Sequence, residues 1–211
     1  MPKQKLETRE TGTTTVGILC KDAVVLASDA KSTMGFLVAS KEVQKVYQVD
    51  DKIALTVAGG VGDVQALVRI LKAEIALYKT MRNADFTVRA AATLLSNILQ
   101  GSRYYPYMAM LILGGHDRDG FHMYSVDPLG GIEEEHDYTA TGSGSPIAYG
   151  VLEADYRPSM TKEEGLKVAV RSIRAARERD VFSGGLKINA IWITKDGLEW
   201  LSEDKLKELA R

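Results

Sequence analysis

Short runs of β-branched and aliphatic residues recur in pairs along the chain, and each pair is divided by a short turn. The paired runs are residues 14–20 with 23–28, 110–113 with 121–126, and 188–194 with 198–201. Lys21-Asp22 divides the first pair, and an Asp-Gly step lies between the runs of each of the other two. Because such connections favour tight antiparallel turns, the pattern predicts three β-hairpins. Further short strands are predicted at 36–39, 43–49 and 53–58.

Between these runs, apolar residues recur every three or four positions, which is the spacing of an amphipathic helix. Helices are predicted over 64–78, 88–99, 146–156, 161–176 and 203–209. The fourth begins with Thr161-Lys162-Glu163-Glu164, a capping-box sequence that marks a helix N-terminus.

The predicted order is strands, two helices, strands, two helices, strands. Hairpins imply antiparallel sheets, and helices that come in pairs argue against a doubly wound parallel sheet. The sequence therefore predicts an α+β fold, a four-layer αββα sandwich in which helix pairs cover two antiparallel sheets.

Composition excludes several classes of protein. The 211 residues include 27 Lys+Arg and 28 Asp+Glu, so a net charge of −1 gives no electrostatic basis for binding nucleic acid or an anionic membrane. No apolar run is long enough to span a bilayer, and the N-terminus lacks the apolar segment of a secretory signal. The one cysteine, Cys20, cannot form an internal disulfide, and no Cys/His cluster has metal-ligand spacing. We expect a cytoplasmic protein that needs no metal or other cofactor.

The N-terminal sequence allows two interpretations. Residues 1–12 are polar and contain little that could pack, and they are followed by Thr13-Thr14-Thr15 at the start of the first strand. On the simpler interpretation this is a frayed tail and a strand edge. On the other, residues 1–12 are a removable prosegment and Thr13 becomes the N-terminus. A free α-amine would then serve the Thr13 hydroxyl as its general base, and Gly12 would allow close approach at the cut.

Two glycine-rich segments also allow different interpretations when each is considered by itself. Residues 58–63 could be mistaken for a dinucleotide-binding loop, but Gln65 stands where the third glycine of G-x-G-x-x-G belongs. Residues 142–145 (GSGS) would ordinarily be a plain turn and do not fit the G-x-S-x-G nucleophile elbow.

Several blocks together extend the second interpretation of the N-terminus. In chain order they are 12–18 (GTTTVGI), 27–29 (ASD), Lys45, 58–63 (AGGVGD), 92–99 (ATLLSNIL), 104–108 (YYPYM), 142–145 (GSGS) and 179–185 (RDVFSGG). This series resembles the proteasome β-subunit family, its archaeal type in particular, which belongs to the N-terminal-nucleophile hydrolases. The likeness extends from Gly12 to about Thr194.

The resemblance implies a threonine endopeptidase, with residues 1–12 as prosegment and 13–211 as a single catalytic domain. Thr13 matches the nucleophile, Lys45 the cation beside its hydroxyl, and Asp29 the acid that holds that lysine. Asp180 and Ser183 match the pair near the threonine amine, and Ser143 the serine that completes their network. Gly59 matches the oxyanion-hole donor.

The same resemblance implies how substrate binds. Thr33 and Val61 match positions whose backbones bind the substrate as an added strand. Val57 matches the floor of the pocket for the residue before the cut, and Ser32, Val43 and Gln65 match its walls. Because Val57 leaves an apolar floor, cleavage after hydrophobic residues is expected.

The resemblance also implies a homo-heptameric β ring stacked on a second β ring between two α-subunit rings. An ATP-dependent unfoldase would supply unfolded protein through the α rings. Asn189 departs from the aspartate of many relatives, in a region expected to contact another subunit. Two alternatives remain: a non-catalytic ring subunit, and the bacterial two-ring relative, which the Tyr-Tyr-Pro-Tyr and Ser-Gly-Gly blocks fit less well.

Overall fold

The computed structural model describes residues 12–209, and most of the predicted prosegment, residues 1–11, lies outside them. The strands of the described part are Thr15–Leu19 (β1), Val24–Ser28 (β2), Ser32–Met34 (β3), Leu37–Ser40 (β4), Val46–Asp50 (β5), Ile53–Gly59 (β6), Ala109–Asp117 (β7), Gly120–Val126 (β8), Ile132–Glu134 (β9), Tyr138–Thr141 (β10), Asn189–Thr194 (β11) and Gly197–Trp200 (β12). The helices are Val61–Arg82 (α1), Val88–Gly101 (α2), Ser145–Asp155 (α3), Lys162–Arg179 (α4) and Glu203–Leu209 (α5).

Two five-stranded antiparallel sheets form the centre of the molecule. One has the order β10-β1-β2-β11-β12 and the other β5-β6-β7-β8-β9, while β3 and β4 form a separate hairpin. Helices α3 and α4 pack on the first sheet, and α1 and α2 on the second. The predicted α+β sandwich and its three hairpins are confirmed.

Strand β2 shows why the middle layers are apolar on both faces. Val25 and Ala27 belong to the core under α3 and α4, whereas Val24 and Leu26 belong to the core between the sheets. Since successive strand residues point to opposite faces, a strand between two layers is buried at every position and is mostly apolar, as β2 is apart from Ser28. All five residues of β2 are buried accordingly.

The capping box predicted at the start of α4 is confirmed. The Thr161 hydroxyl accepts a hydrogen bond from the Glu164 N–H at 3.3 Å, and the Glu164 carboxylate accepts one from the Thr161 N–H at 2.8 Å. Helix α4 carries eight buried residues on one face, which fixes the position of its C-terminal end. Across residues 12–209, no helix combines the length and the apolar character needed to cross a bilayer.

The strand predicted over 43–49 begins only at Val46. The Val43 N–H bonds outside the sheet, to the Ala30 carbonyl at 2.9 Å. Pairing with β6 begins with the Lys45 carbonyl, which accepts from the Val57 N–H at 3.0 Å. Strands β3, β9 and β10 were not predicted, because they are only three or four residues long and lack a sustained apolar alternation.

Candidate active site

The residues expected to be catalytic converge at one end of the sandwich. Because β1 and β2 are antiparallel, Thr13 before β1 lies next to Asp29 after β2, and the Asp29 N–H donates to the Thr14 carbonyl at 3.1 Å. Strand β10 pairs with the other edge of β1 and places Ser143 beside Thr13. Asp180 is the C-cap of α4 and delivers the loop that carries Ser183.

The peptide bond between Gly12 and Thr13 lies at the centre of this cluster. The Thr13 hydroxyl donates a hydrogen bond to the Gly12 carbonyl oxygen at 2.7 Å. The Lys45 ammonium donates to the same oxygen at 3.3 Å. Both Gly12 and Thr13 are buried. A hydroxyl therefore sits beside a carbonyl whose oxygen faces a cation.

Asp29 anchors this end of the sandwich. Its carboxylate is fully buried and accepts four hydrogen bonds. The donors are Lys45 Nζ at 2.8 Å and the backbone N–H groups of Thr14 at 3.0 Å, Lys31 at 3.1 Å and Gly184 at 2.9 Å. Since a buried charge is tolerated only when it is paired and hydrogen-bonded, Asp29 is satisfied on both oxygens.

Lys45 is almost as deeply buried as its partner, with 6% of its side chain exposed. Burial lowers the pKa of Lys45 below the usual range of a lysine, and the Asp29 carboxylate opposes that shift. Lys31 is a second nearby cation that lowers the pKa of Lys45 further. The ammonium is thus held in place by Asp29 and is easier to deprotonate than a lysine in water.

A chain of hydroxyl groups joins Thr13 to Asp180. The Thr13 N–H donates to Ser143 Oγ at 3.2 Å, and Ser143 Oγ donates to Asp180 Oδ2 at 2.6 Å. Ser183 Oγ donates to the same oxygen at 2.5 Å. Because the Ser183 proton is engaged there, the contact of 2.6 Å between the Thr14 and Ser183 hydroxyls has Thr14 as the donor.

A pocket opens next to Thr13. Its lining residues are Gly12, Thr13, Ser32, Val43, Gln44, Lys45, Tyr47, Val57, Gly59, Val61 and Val64. Four of the six residues expected to bind substrate are in this set. Thr33 and Gln65 are not. The lining combines four charged or hydroxyl-bearing side chains with four apolar ones. The first four are Thr13, Ser32, Lys45 and Tyr47, and the apolar ones are Val43, Val57, Val61 and Val64.

Gly59 closes the pocket at the end of β6, and no other residue fits there. A methyl group on its Cα would overlap the Met108 carbonyl oxygen and lie 2.8 Å from Ala109 Cα. Its φ of +153° is also one that L-residues rarely adopt. The glycine therefore allows the backbone of β6 to turn into α1 at the pocket wall.

Several residues of this site were not identified from the sequence. Lys31 donates through Nζ to the Val181 carbonyl at 2.6 Å, and Arg177 bonds the Gly185 carbonyl, so two cations hold the loop between Asp180 and Gly185. Thr14 joins the hydroxyl chain, and Tyr47 donates to the Gln44 carbonyl at 2.8 Å in the pocket wall. No sequence pattern marks these residues. The partners of Lys31 and Thr14 are 150 and 169 residues away in the chain, and the nearer contacts of Tyr47 and Arg177 follow no recognised motif.

Comparison with known proteins shows the family to which this chain is similar. The family model described as proteasome subunit matches residues 9–193. The chain is 52% identical over 199 residues to "Proteasome subunit beta" of Methanocaldococcus vulcanius, covering 94% of this chain and 89% of that protein. It is 51% identical to the protein of the same name from Methanococcus maripaludis, covering 93% and 90%, and 50% identical to that from Methanoregula boonei, covering 99% and 97%.

Proposed function

The chain belongs to the proteasome subunit family, and from that premise we propose that it is a proteolytic β subunit of the core particle, a threonine endopeptidase. The observation that carries the proposal is the position of the Thr13 hydroxyl, 2.7 Å from the Gly12 carbonyl oxygen. Lys45, held by the buried Asp29, donates to that same oxygen. These two contacts to the Gly12 oxygen support attack of the Thr13 hydroxyl on the Gly12–Thr13 peptide bond.

The first reaction in this proposal is removal of residues 1–12, the prosegment, from the domain formed by residues 13–211. Thr13 Oγ1 bonds to the Gly12 carbonyl carbon, and the bond from that carbon to Thr13 N breaks. The hydroxyl proton ends on the nitrogen, which becomes the amine. Water then hydrolyses the resulting ester, restoring the hydroxyl and releasing residues 1–12 with a new carboxyl end. Lys45 stabilises the negative charge that develops on the Gly12 oxygen.

Cleavage of a substrate follows the same course with the new amine as general base. A free α-amino group titrates near neutral pH, so it takes the Thr13 hydroxyl proton as Oγ1 attacks and gives it to the leaving amine. Water hydrolyses the acyl ester in the second half of the reaction. Ser143 lies 3.2 Å from Thr13 N and, with Asp180 and Ser183, orients that amine. The backbone N–H of Gly59 is proposed to bind the oxyanion.

Substrate selectivity is assigned to the pocket beside Thr13. Val43, Val57 and Val61 give it an apolar lining, and Ser32 lines it as well. Gln65 lies outside this lining and is proposed as a wall residue on the family resemblance alone. An apolar pocket favours a hydrophobic side chain before the cut. The backbones of Thr33 and Val61 are proposed to bind the substrate chain as an added strand.

A charge placed on the pocket wall should alter this preference. Val43→Glu is expected to raise cleavage after Lys or Arg, relative to cleavage after Leu, by about tenfold, because the carboxylate pairs with a basic side chain. The ratio is measured with matched peptides that differ only at the residue before the cut. Leu129→Glu adds the same charge on an exposed turn outside the pocket and should leave the ratio unchanged. An unaltered ratio in Val43→Glu would contradict the proposed role of Val43 in selecting the residue before the cut.

The proposed setting is a cytoplasmic core particle. Seven copies of this chain form a β ring, which is stacked on a second β ring between two α-subunit rings. An ATP-dependent unfoldase supplies unfolded polypeptide through the α rings. Enclosure in a barrel keeps a protease of low selectivity away from folded proteins.

The proposal is tested by the intact mass of this chain within the assembled particle formed with its α subunits. Loss of residues 1–12, leaving Thr13 first, is the expected result. A chain that keeps those residues in a completed, peptide-hydrolysing particle would instead identify a non-catalytic ring subunit. Protein produced without α subunits serves as the unassembled control.

A further inference from the structure

Gly12 packs directly against Phe182, a residue with no part in the reaction described above. A methyl group on the Gly12 Cα would overlap the Phe182 Cβ, and it would lie 2.6 Å from Phe182 Cγ and 2.8 Å from Phe182 Cα. Carbon atoms in ordinary contact are about 3.5–4.0 Å apart, so no side chain fits at residue 12 in this arrangement.

The direction of that contact separates it from the substrate pocket. All three heavy atoms nearest to the position of a Gly12 Cβ belong to Phe182, and Phe182 is not among the residues that line the pocket with Val43 and Val57. Although Gly12 itself lines the pocket, a side chain at residue 12 would therefore meet Phe182, which lies outside that lining. The residue before the cut is thus held differently in the prosegment than in a substrate that fills the pocket.

Phe182 cannot easily move to relieve such an overlap. Its N–H donates to Asp180 Oδ1 at 3.2 Å, and the hydroxyl of the next residue, Ser183, bonds both Asp180 and Thr14. On the other side, the Val181 carbonyl accepts from Lys31 Nζ at 2.6 Å. Displacing Phe182 would break this network. Displacing Gly12 instead would take its carbonyl away from the Thr13 hydroxyl and from Lys45.

From this packing we infer that Phe182 is a positioning residue for self-cleavage, which requires glycine before Thr13 and holds the Gly12 carbonyl against the nucleophile. The inference rests on the proposed removal of residues 1–12. It assigns the glycine requirement to the Phe182 Cβ and not to the pocket that receives substrate side chains.

A double-mutant cycle in the full-length chain, assembled with its α subunits, tests this assignment. Gly12→Ala is combined with Phe182→Ala, which keeps the Cβ, or with Phe182→Gly, which removes it. Removal of residues 1–12 is followed by intact mass over time. We expect Gly12→Ala to mature slowly alone and with Phe182→Ala. Phe182→Gly removes the overlap with the Cβ and leaves the approach of 2.8 Å to the residue-182 Cα, so this double variant should still mature more slowly than the unsubstituted chain. It should nevertheless mature at least about tenfold faster than the double variant with Phe182→Ala, the scale of coupling between residues in contact.

A second measurement separates a specific effect on maturation from general damage to the catalytic loop. Each maturation rate is divided by the peptide-hydrolysis rate of the same residue-182 variant produced with Thr13 already first. If the two double variants have equal normalised rates while the unsubstituted chain matures normally, this inference is overturned and the proposed function is not. An unsubstituted chain that keeps residues 1–12 in an active particle overturns the proposed function as well.

A crystal structure of the Gly12→Ala precursor gives an answer that does not depend on substituting Phe182. We expect either the residue-12 carbonyl or the Phe182 side chain to be displaced, with loss of the contact between that carbonyl and Lys45. If the methyl group introduced by Gly12→Ala lay in the pocket, with the carbonyl unmoved, the inference would be overturned.

Discussion

A Thr13→Ala chain is expected to retain residues 1–12 in the assembled particle and to hydrolyse peptides at least roughly a thousandfold more slowly. The substitution removes the hydroxyl that lies 2.7 Å from the Gly12 carbonyl oxygen. Neither the ester with the prosegment nor the acyl ester with a substrate can then form. Intact mass reports the first loss, and a fluorogenic peptide with a hydrophobic residue before the cut reports the second.

Two further variants show whether the effect belongs to this hydroxyl. Thr13→Ser keeps the nucleophile and should mature and hydrolyse peptides within about tenfold of the unsubstituted chain. Thr15→Val removes a neighbouring threonine hydroxyl, which is paired with that of Thr141 at 2.7 Å. It should mature normally and lose only about 1–3 kcal/mol of stability, because a buried partner is left unpaired. Normal peptide hydrolysis in Thr13→Ala particles would contradict the nucleophile assignment.

Lys45→Met is expected to block both prosegment removal and peptide hydrolysis, by roughly a hundredfold or more, while the chain still folds and assembles. The ammonium that faces the Gly12 oxygen is lost. The fold survives because Asp29 keeps three backbone donors, from Thr14, Lys31 and Gly184. Burial also disfavours the charged form of Lys45, as its lowered pKa indicates. Replacing Lys45 by methionine therefore also removes the free-energy cost of burying the ammonium.

Asp29→Ala is the matched comparison, because it removes the other half of the same ion pair. It leaves three buried N–H groups and the Lys45 ammonium without their acceptor. We expect a loss of about 3–5 kcal/mol in the free energy of unfolding, against about 1–3 kcal/mol for Lys45→Met. Urea unfolding of the two variants in the same background measures the difference. Normal maturation in Lys45→Met would remove the lysine from the mechanism, and an equal loss of stability would contradict the anchoring role of Asp29.

The fold could be predicted largely from local signals. The turns at Lys21-Asp22 and at the two Asp-Gly steps each lie within a few residues of the strands they join. Each hairpin can therefore be predicted from a short segment of sequence. The capping box at Thr161 marks the start of α4 in the same local way. Strand β10 carried no such signal. Its four residues are specified by pairing with β1, which is more than 100 residues earlier in the chain.

Beyond the junction between Gly12 and Thr13, the candidate site was predictable only through the family resemblance. Three consecutive threonines follow Gly12, and only the glycine before it distinguishes Thr13 from Thr15. In the structure their hydroxyls differ: that of Thr13 faces the Gly12 carbonyl, whereas that of Thr15 pairs with Thr141 inside the sandwich. The two environments differ because β10 ends at Thr141, the residue that pairs with Thr15, so Thr13 lies beyond the paired part of β1.

The periodicity of the strands and helices, the turns, the order of layers and the resemblance that names a nucleophile can all be derived from the amino-acid sequence. The surroundings of that nucleophile become visible only in the folded chain. Ser143 is 130 residues from Thr13, and Gly184 is 155 residues from Asp29, yet each pair is hydrogen-bonded. Likewise, only the folded chain shows that a side chain at residue 12 would meet Phe182. Local patterns cannot specify such contacts, because the packing of two sheets and four helices brings their partners together.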